Sequence, residues 1–309
     1  MRHIDLSLFS PYEKLFLTDE LLSKYAFSLC GGPCPGLIKV ENSQMLESVI
    51  KCCIAAGFPY KVLGGMTNIL ISDKGFDGVV ILNRKGKISH KELEDGSVWL
   101  SAESGAGMAA VVRYCMENGI SGMEWAAGLP GTVGGAVCGN AGAFGTEISD
   151  IFMFGSMLDE KGCQNHISHE NMGYSYRSSI LKHQDNNRIL LGASFLLGKG
   201  DTEEISSRCE EYKERRKSTQ PIDEHSLGSV FKNPEGESAG KMIQAAGLKG
   251  FSVGKASVSL KHANFIVTEK GVTSADYHRL VCHVQNKVYE QFSVLLEPEI
   301  ELFGFEVNG

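Results

Sequence analysis

The sequence predicts an α+β protein built from two or three packed units. Three observations carry this reading. The chain has 309 residues, more than one hydrophobic core of ordinary size accommodates. Strand-like and helix-like apolar patterns alternate through roughly its first 120 residues, as in mixed folds. Glycine numbers 36 against 8 prolines and gathers at 64–78, 104–145 and 228–254. Such clusters mark main chain that turns sharply or lies close to something.

The elements follow in order. Leu46, Val49, Ile50, Cys53 and Ile54 share one helical face, Asn42 or Ser43 stands at the cap, and Gly57 follows, so 43–56 reads as a helix. Tyr60–Leu63 reads as a short strand entering Gly64-Gly65, and Val79–Leu82 as another. Val98–Ala102 alternates as a strand, and Met108–Asn118 reads as a helix closed by Gly119. Residues 120–145 combine small residues and glycines with almost no charge, which suits a close-packed turn of core or a wall against a flat ligand. Arg188–Leu197 is strand-like. Asp201 with Glu204 forms a capping-box pattern for a helix reaching Lys217, stopped by Gln220-Pro221. Thr273 with Asp276 opens a second long helix, striped by Tyr277, Leu280, Val281, Val284 and Val288. Ser257–Leu260 and Asn264–Thr268 read as strands between them, and a unit boundary is expected near 200.

Composition excludes several classes. A net charge of −7 argues against a nucleic-acid binder, which needs clustered Lys and Arg. No apolar run approaches the ~20 residues that span a bilayer, and the first 14 residues lack the apolar core of a signal peptide. A cytoplasmic protein is expected, with no membrane partner. Nine cysteines without paired CxxC motifs read as reduced thiols. Neither H-x-x-x-H nor H-E-x-x-H spacing occurs among the nine histidines, so no metal site is expected.

Five segments could carry chemistry. Leu63-Gly64-Gly65-Met66-Thr67-Asn68 follows a strand, where free N–H groups and a hydroxyl suit a phosphate. A plain tight turn explains that segment alone equally well. Gly128-Leu129-Pro130-Gly131-Thr132-Val133-Gly134-Gly135 is stronger. Its glycines admit a pyrophosphate or flat ring to the main chain, Pro130 suits a first helical turn, and Gly139-Asn140-Ala141-Gly142-Ala143 extends the surface. Tyr174-Ser175-Tyr176-Arg177-Ser178-Ser179 sets an Arg among aromatics and hydroxyls, where it could polarise a carboxylate or enol. Ser229 sits on a Gly turn before Lys232 and Asn233. It lacks the hydrolase G-x-S-x-G pattern, so it reads as a hairpin turn or a proton donor. Glu297, Glu299 and Glu301 make either a charged edge strand or a carboxylate turned into a site.

In order and identity these segments resemble the MurB family of UDP-N-acetylenolpyruvoylglucosamine reductases, over about residues 26–304. The resemblance is most specific at Gly122–Gly131, Gly134–Gly145, Gly228–Pro234, Lys261–Val267 and Leu296–Gly304. It implies a vanillyl-alcohol-oxidase-like FAD-binding fold in two subdomains, 1–84 and 85–200, and a substrate-binding domain at 201–309. It implies FAD as cofactor, NADPH as hydride donor and a UDP-linked amino sugar as substrate, in peptidoglycan precursor synthesis. The family's Tyr-Arg-x-Ser, Gly-Ser-x-Phe and Glu-Pro-Glu match Arg177, Ser229 and Glu299. In the family these positions stabilise an enolate and donate a proton. Cofactor contacts are implied at Gly64, Gly65, Met66, Thr67, Asn68, Leu70, Gly128, Pro130, Gly131, Gly134, Gly135, Asn140, Ala141 and Gly142. Tyr176, Arg216, Lys232 and Asn233 are implied at the substrate. The chain resembles the shorter branch, without an extra substrate-covering loop, and a monomer is expected.

The sequence departs from the family pattern in places. Met66 stands where the first flavin loop has Gly, Ser28-Leu29-Cys30 replaces a more polar lead, and Ser178 replaces Asp. A paralogue acting on another enol ether, a related FAD oxidase and a non-catalytic flavin-binding homologue stay open at this level.

Overall fold

The structure, a computed structural model, describes residues 4–182 and 188–305. The outer ends of the first and third expected units, 1–3 and 306–309, lie outside the described residues.

The first unit is a four-stranded sheet in the order Phe16–Leu21, Pro33–Val40, Val79–Asn83, Tyr60–Leu63. Val79–Asn83 runs parallel to both neighbours and is buried along its whole length, which is why Val79–Leu82 is continuously apolar. Helix Ser43–Ala56 covers one face. Asn42 accepts a hydrogen bond from the Met45 N–H, and Gly57 closes the helix in the left-handed region.

The second unit is an antiparallel sheet centred on Ile189–Lys199, which pairs with Phe152–Leu158 on one side and Val98–Glu103 on the other. Val98–Glu103 alternates between buried and half-buried positions, matching the period of its sequence. Helix Met108–Glu117 packs on this sheet through Met108, Val111, Val112 and Cys115.

Helix Thr202–Thr219 runs two residues past the expected Lys217. Asp201 caps it by accepting from the Glu203 and Glu204 N–H groups, the N-cap half of the expected capping box. Its Ile205 and Cys209 join the core of the second unit. The helix expected to open the third unit therefore packs into the second.

The third unit is a four-stranded antiparallel sheet in the order His225–Ser229, Phe265–Thr268, Ala256–Val258, Ser252–Val253. Helix Ser274–Phe292 lies against it, capped by Thr273 and burying Tyr277, Leu280, Val281, Val284 and Val288. The chain then returns to the first unit, where Glu301–Phe303 pairs in parallel with Ile69–Ile71. Among the described residues no helix is long and apolar enough to cross a membrane.

Candidate active site

The two glycine loops meet. A Cβ on Gly64 would run into the Thr132 side chain, and one on Gly65 would lie 2.7 Å from the Gly131 Cα. Only glycine lets these backbones approach so closely. Arg84 fastens the first loop, its Nε donating to the Gly64 carbonyl at 2.8 Å and its guanidinium to the Tyr25 carbonyl at 2.7 Å. Sequence reasoning missed Arg84, because a lone Arg after a strand carries no signal of its own.

Met66 adopts φ +54° and is 3% exposed. Its backbone takes a left-handed conformation that favours glycine, while its side chain packs with Leu22, Leu63 and Ile69. The N–H groups of Gly65, Met66, Thr67 and Asn68 donate no hydrogen bond to the described residues. A run of free main-chain donors at a turn is an anion cradle, and it fits the pyrophosphate of a dinucleotide.

The second loop leads into helix Val133–Cys138, capped by Thr132. Pro130 therefore precedes the helix rather than occupying its first turn. The Gly134 N–H donates to the Ser104 carbonyl at 2.8 Å, and a Cβ there would touch Ser104 at 3.1 Å. Gly128 has φ +76° beside Arg216.

Several expected contacts take other roles. Arg216 is buried, and its guanidinium donates to the Ala127 and Trp125 carbonyls at 2.9 and 3.1 Å. It braces the loop from behind and leaves little surface for a substrate phosphate. Leu70 is fully buried, with its side chain in the third unit's core and its backbone paired to Leu302. Asn140 is also fully buried and bonds Glu147, the Ser175 carbonyl and the Ser149 N–H. Neither residue offers a surface to a cofactor. The main chain of Ala141 bonds Ala136 and Ile148. The adjoining hairpin is held by Phe144, which stacks on Tyr212 at 4.6 Å and lies under Arg215 and Arg216.

Arg177 sits at the tip of a tight turn. Ser175 and Ser178 exchange backbone hydrogen bonds, and Arg177 takes φ +55°. Its guanidinium donates to the Gly142 carbonyl at 2.8 Å, and its Nε lies 3.2 Å from Glu299 Oε1. Asn68, in the first glycine loop, donates to the Glu299 carbonyl at 3.2 Å. The Glu299 N–H donates to the Val230 carbonyl at 2.8 Å, next to Ser229. Ser229 ends its strand at a register shift over Gly228, whose φ is +75°. Arg177 and Glu299 thus touch, and Glu299 is tied to the residue beside Ser229.

The three C-terminal carboxylates divide among the units. Glu297 pairs with Lys232 at 2.6 Å, Glu299 with Arg177, and Glu301 with Lys61 at 2.8 Å. Burial pushes the Glu299 carboxyl above its ordinary pKa, with Arg177 and Lys182 pulling the other way. Tyr176, Lys232 and Asn233 line one groove of about 390 Å³ together with Glu297 and the exposed Leu295. Asn233 also accepts the Ala239 N–H at 3.1 Å.

Known proteins match this arrangement along nearly the whole chain. Residues 34–166 match the FAD binding domain family, and residues 220–303 match the C-terminal domain of UDP-N-acetylenolpyruvoylglucosamine reductase. A UDP-N-acetylenolpyruvoylglucosamine reductase of Caldicellulosiruptor saccharolyticus is 40% identical over 94% of this chain and 92% of its own. The chain belongs to the UDP-N-acetylenolpyruvoylglucosamine reductase family. A member from Limosilactobacillus reuteri is 39% identical over 93% of this chain and 94% of its own. The crystal structure of the reductase from Thermus caldophilus superposes with a TM-score of 0.76 at 33% identity, covering 92% of this chain and 97% of that one. Met66, where the sequence departs from the family pattern, holds its backbone in the left-handed region that favours glycine.

Proposed function

We propose that this chain reduces the enolpyruvyl double bond of UDP-N-acetylenolpyruvoylglucosamine to give UDP-N-acetylmuramate, using FAD and NADPH. The observation that carries the reading is the Arg177–Glu299 pair, bonded through Asn68 to the first glycine loop and through Val230 to the Ser229 turn. Those contacts bring the three expected catalytic positions and the cofactor cradle together.

FAD fits the main-chain cradle of Gly65–Asn68 closed by Gly131 and Thr132. When bound, it supplies the hydride for the double bond, and NADPH restores that hydride. The protein's own part is charge and proton management. Hydride addition to one alkene carbon pushes electrons into the adjacent carboxylate. The Arg177 guanidinium, fixed by the Gly142 carbonyl and Glu299, presents positive charge and donors to that oxyanion. The Ser229 hydroxyl delivers a proton to the other alkene carbon, so one hydride and one proton add across the bond. A Ser hydroxyl is a weak acid and protonates only a strongly basic carbon, so proton transfer follows hydride addition closely. Tyr176, Lys232 and Asn233 receive the nucleotide end in the groove they line. Arg216 holds the second glycine loop in place. The enzyme acts in the cytoplasm as a monomer and supports cell shape and division through the peptidoglycan precursor it makes.

The test is anaerobic stopped-flow. The flavin is reduced with NADPH and mixed with UDP-N-acetylenolpyruvoylglucosamine. Rapid reoxidation with formation of UDP-N-acetylmuramate is expected. Reduction without reoxidation points to a paralogue with another acceptor, and protein that binds no flavin overturns the reading.

A further inference from the structure

One half-buried cation at the site is absent from the catalytic scheme. Lys182 ends the short turn Ile180–Lys182, and its Nζ donates to the Arg177 carbonyl at 3.0 Å and to the Glu299 carbonyl at 3.3 Å. The same Glu299 carbonyl receives Asn68 from the first unit, while the Glu299 N–H bonds Val230 in the third. All three units therefore meet on the main chain of one residue, Glu299. Burial lowers the Lys182 pKa, with Glu299, Lys232, Cys138 and Glu301 also acting on it electrostatically.

We propose that Lys182 is a positioning residue for the reduction, holding the main chains of Arg177 and Glu299 in the register at which their side chains meet. The proposal rests on the roles given above to Arg177 and Glu299. Two carbonyls on one ammonium make charge-assisted bonds, stronger than neutral ones. Such a tie is needed because Arg177 is held in a left-handed conformation that an Arg rarely adopts. No carboxylate among the described residues lies within ion-pair distance of Lys182, so its role is not that of a salt-bridge partner. A partly desolvated ammonium held by two carbonyls loses hydration that those two bonds must offset, which keeps both carbonyls at its Nζ.

Lys182→Met removes the ammonium and keeps an unbranched side chain, and Lys182→Arg restores a cation. In the two-step stopped-flow experiment, Lys182→Met should slow flavin reoxidation at saturating substrate by about 10–100-fold, because misplacement by about 1 Å costs that much. Flavin reduction by NADPH, FAD content and substrate Kd should stay within about twofold of the unaltered enzyme. Lys182→Arg should recover most of the lost rate. A raised substrate Kd at an unchanged rate constant would make Lys182 a substrate ligand and overturn the proposal, as would no change at all. If Lys182→Met fails to bind FAD, Lys182→Gln against Lys182→Arg decides on the same readouts, equal rates overturning the proposal. Arg177→Ala is run alongside. Slow reoxidation there with normal reoxidation in Lys182→Met overturns the Lys182 role alone. Normal reoxidation in Arg177→Ala overturns the underlying reading and the Lys182 role with it.

Discussion

Arg177 and Glu299 stand 122 positions apart in sequence and face each other with Nε and Oε1 3.2 Å apart. Each also has a main-chain contact in its own unit, Arg177 in the Ser175–Ser178 turn and Glu299 at the Val230 carbonyl. The pair is therefore preorganised, and a substrate carboxylate would meet oriented donors rather than mobile side chains.

Ser229→Ala removes the proposed proton donor and nothing that the cradle needs. Flavin reduction by NADPH should be nearly unchanged. Reoxidation by substrate should slow by about 10²–10⁴-fold, the usual worth of a general acid. Stopped-flow absorbance separates the steps, and equal rates in both would remove Ser229 from the mechanism.

Gly65→Ala tests the cradle itself. The added Cβ would lie 2.7 Å from the Gly131 Cα, a backbone atom that has little freedom to yield. Parting the loops should cost about 1–3 kcal/mol and weaken FAD binding by tenfold or more, as about 1.4 kcal/mol is tenfold. Flavin fluorescence titration of the apoprotein measures it. Unchanged affinity would mean that FAD does not depend on this contact.

Met66→Gly sets two effects against each other. Glycine relieves a left-handed strain of about 1–2 kcal/mol, whereas a buried Met side chain contributes about 1.5–3 kcal/mol. Burial wins at 3% exposure, so a fall in melting temperature of a few degrees is expected, with FAD retained. Thermal melts and flavin content check both halves, and a large loss of FAD would give the Met66 side chain a cofactor role.

Glu299 carries a pH signature. Its folded pKa is raised above the ordinary 4.5, so the folded state holds its proton more tightly than the unfolded chain. Stability from this group is fully present below 4.5 and is lost as pH rises through the raised value. Glu299→Gln lacks this titration. The stability of the unaltered protein relative to Glu299→Gln should thus fall as pH rises above 4.5, read from denaturant midpoints. A constant or rising difference would contradict the raised pKa.

Much of the local structure was legible because its causes are local. Asn42, Gly57, Thr273 and Asp201 act on backbone within a turn of themselves, so each helix boundary they mark falls where its pattern puts it. Arg177, Ser229 and Glu299 were singled out by local motifs, and the structure sets Arg177 against Glu299 and ties Glu299 to the residue after Ser229. Pro130 misled because proline suits both a first helical turn and the loop before a cap, and Thr132 decides between them by bonding the Gly135 N–H.

The sequence by itself determined the α+β class, the caps and stripes of the main helices, and the glycine-rich and Arg177, Ser229 and Glu299 segments singled out for the proposed site. Tertiary structure decided which residues share a place. It set the two glycine loops back to back, gave the three C-terminal carboxylates to three different cations, drew helix Thr202–Thr219 into the second unit and buried Leu70, Asn140 and Arg216. The physical reason is range. Caps and periodicity act over a few residues, while burial and ion pairing join positions more than a hundred residues apart and exist only once the units have packed.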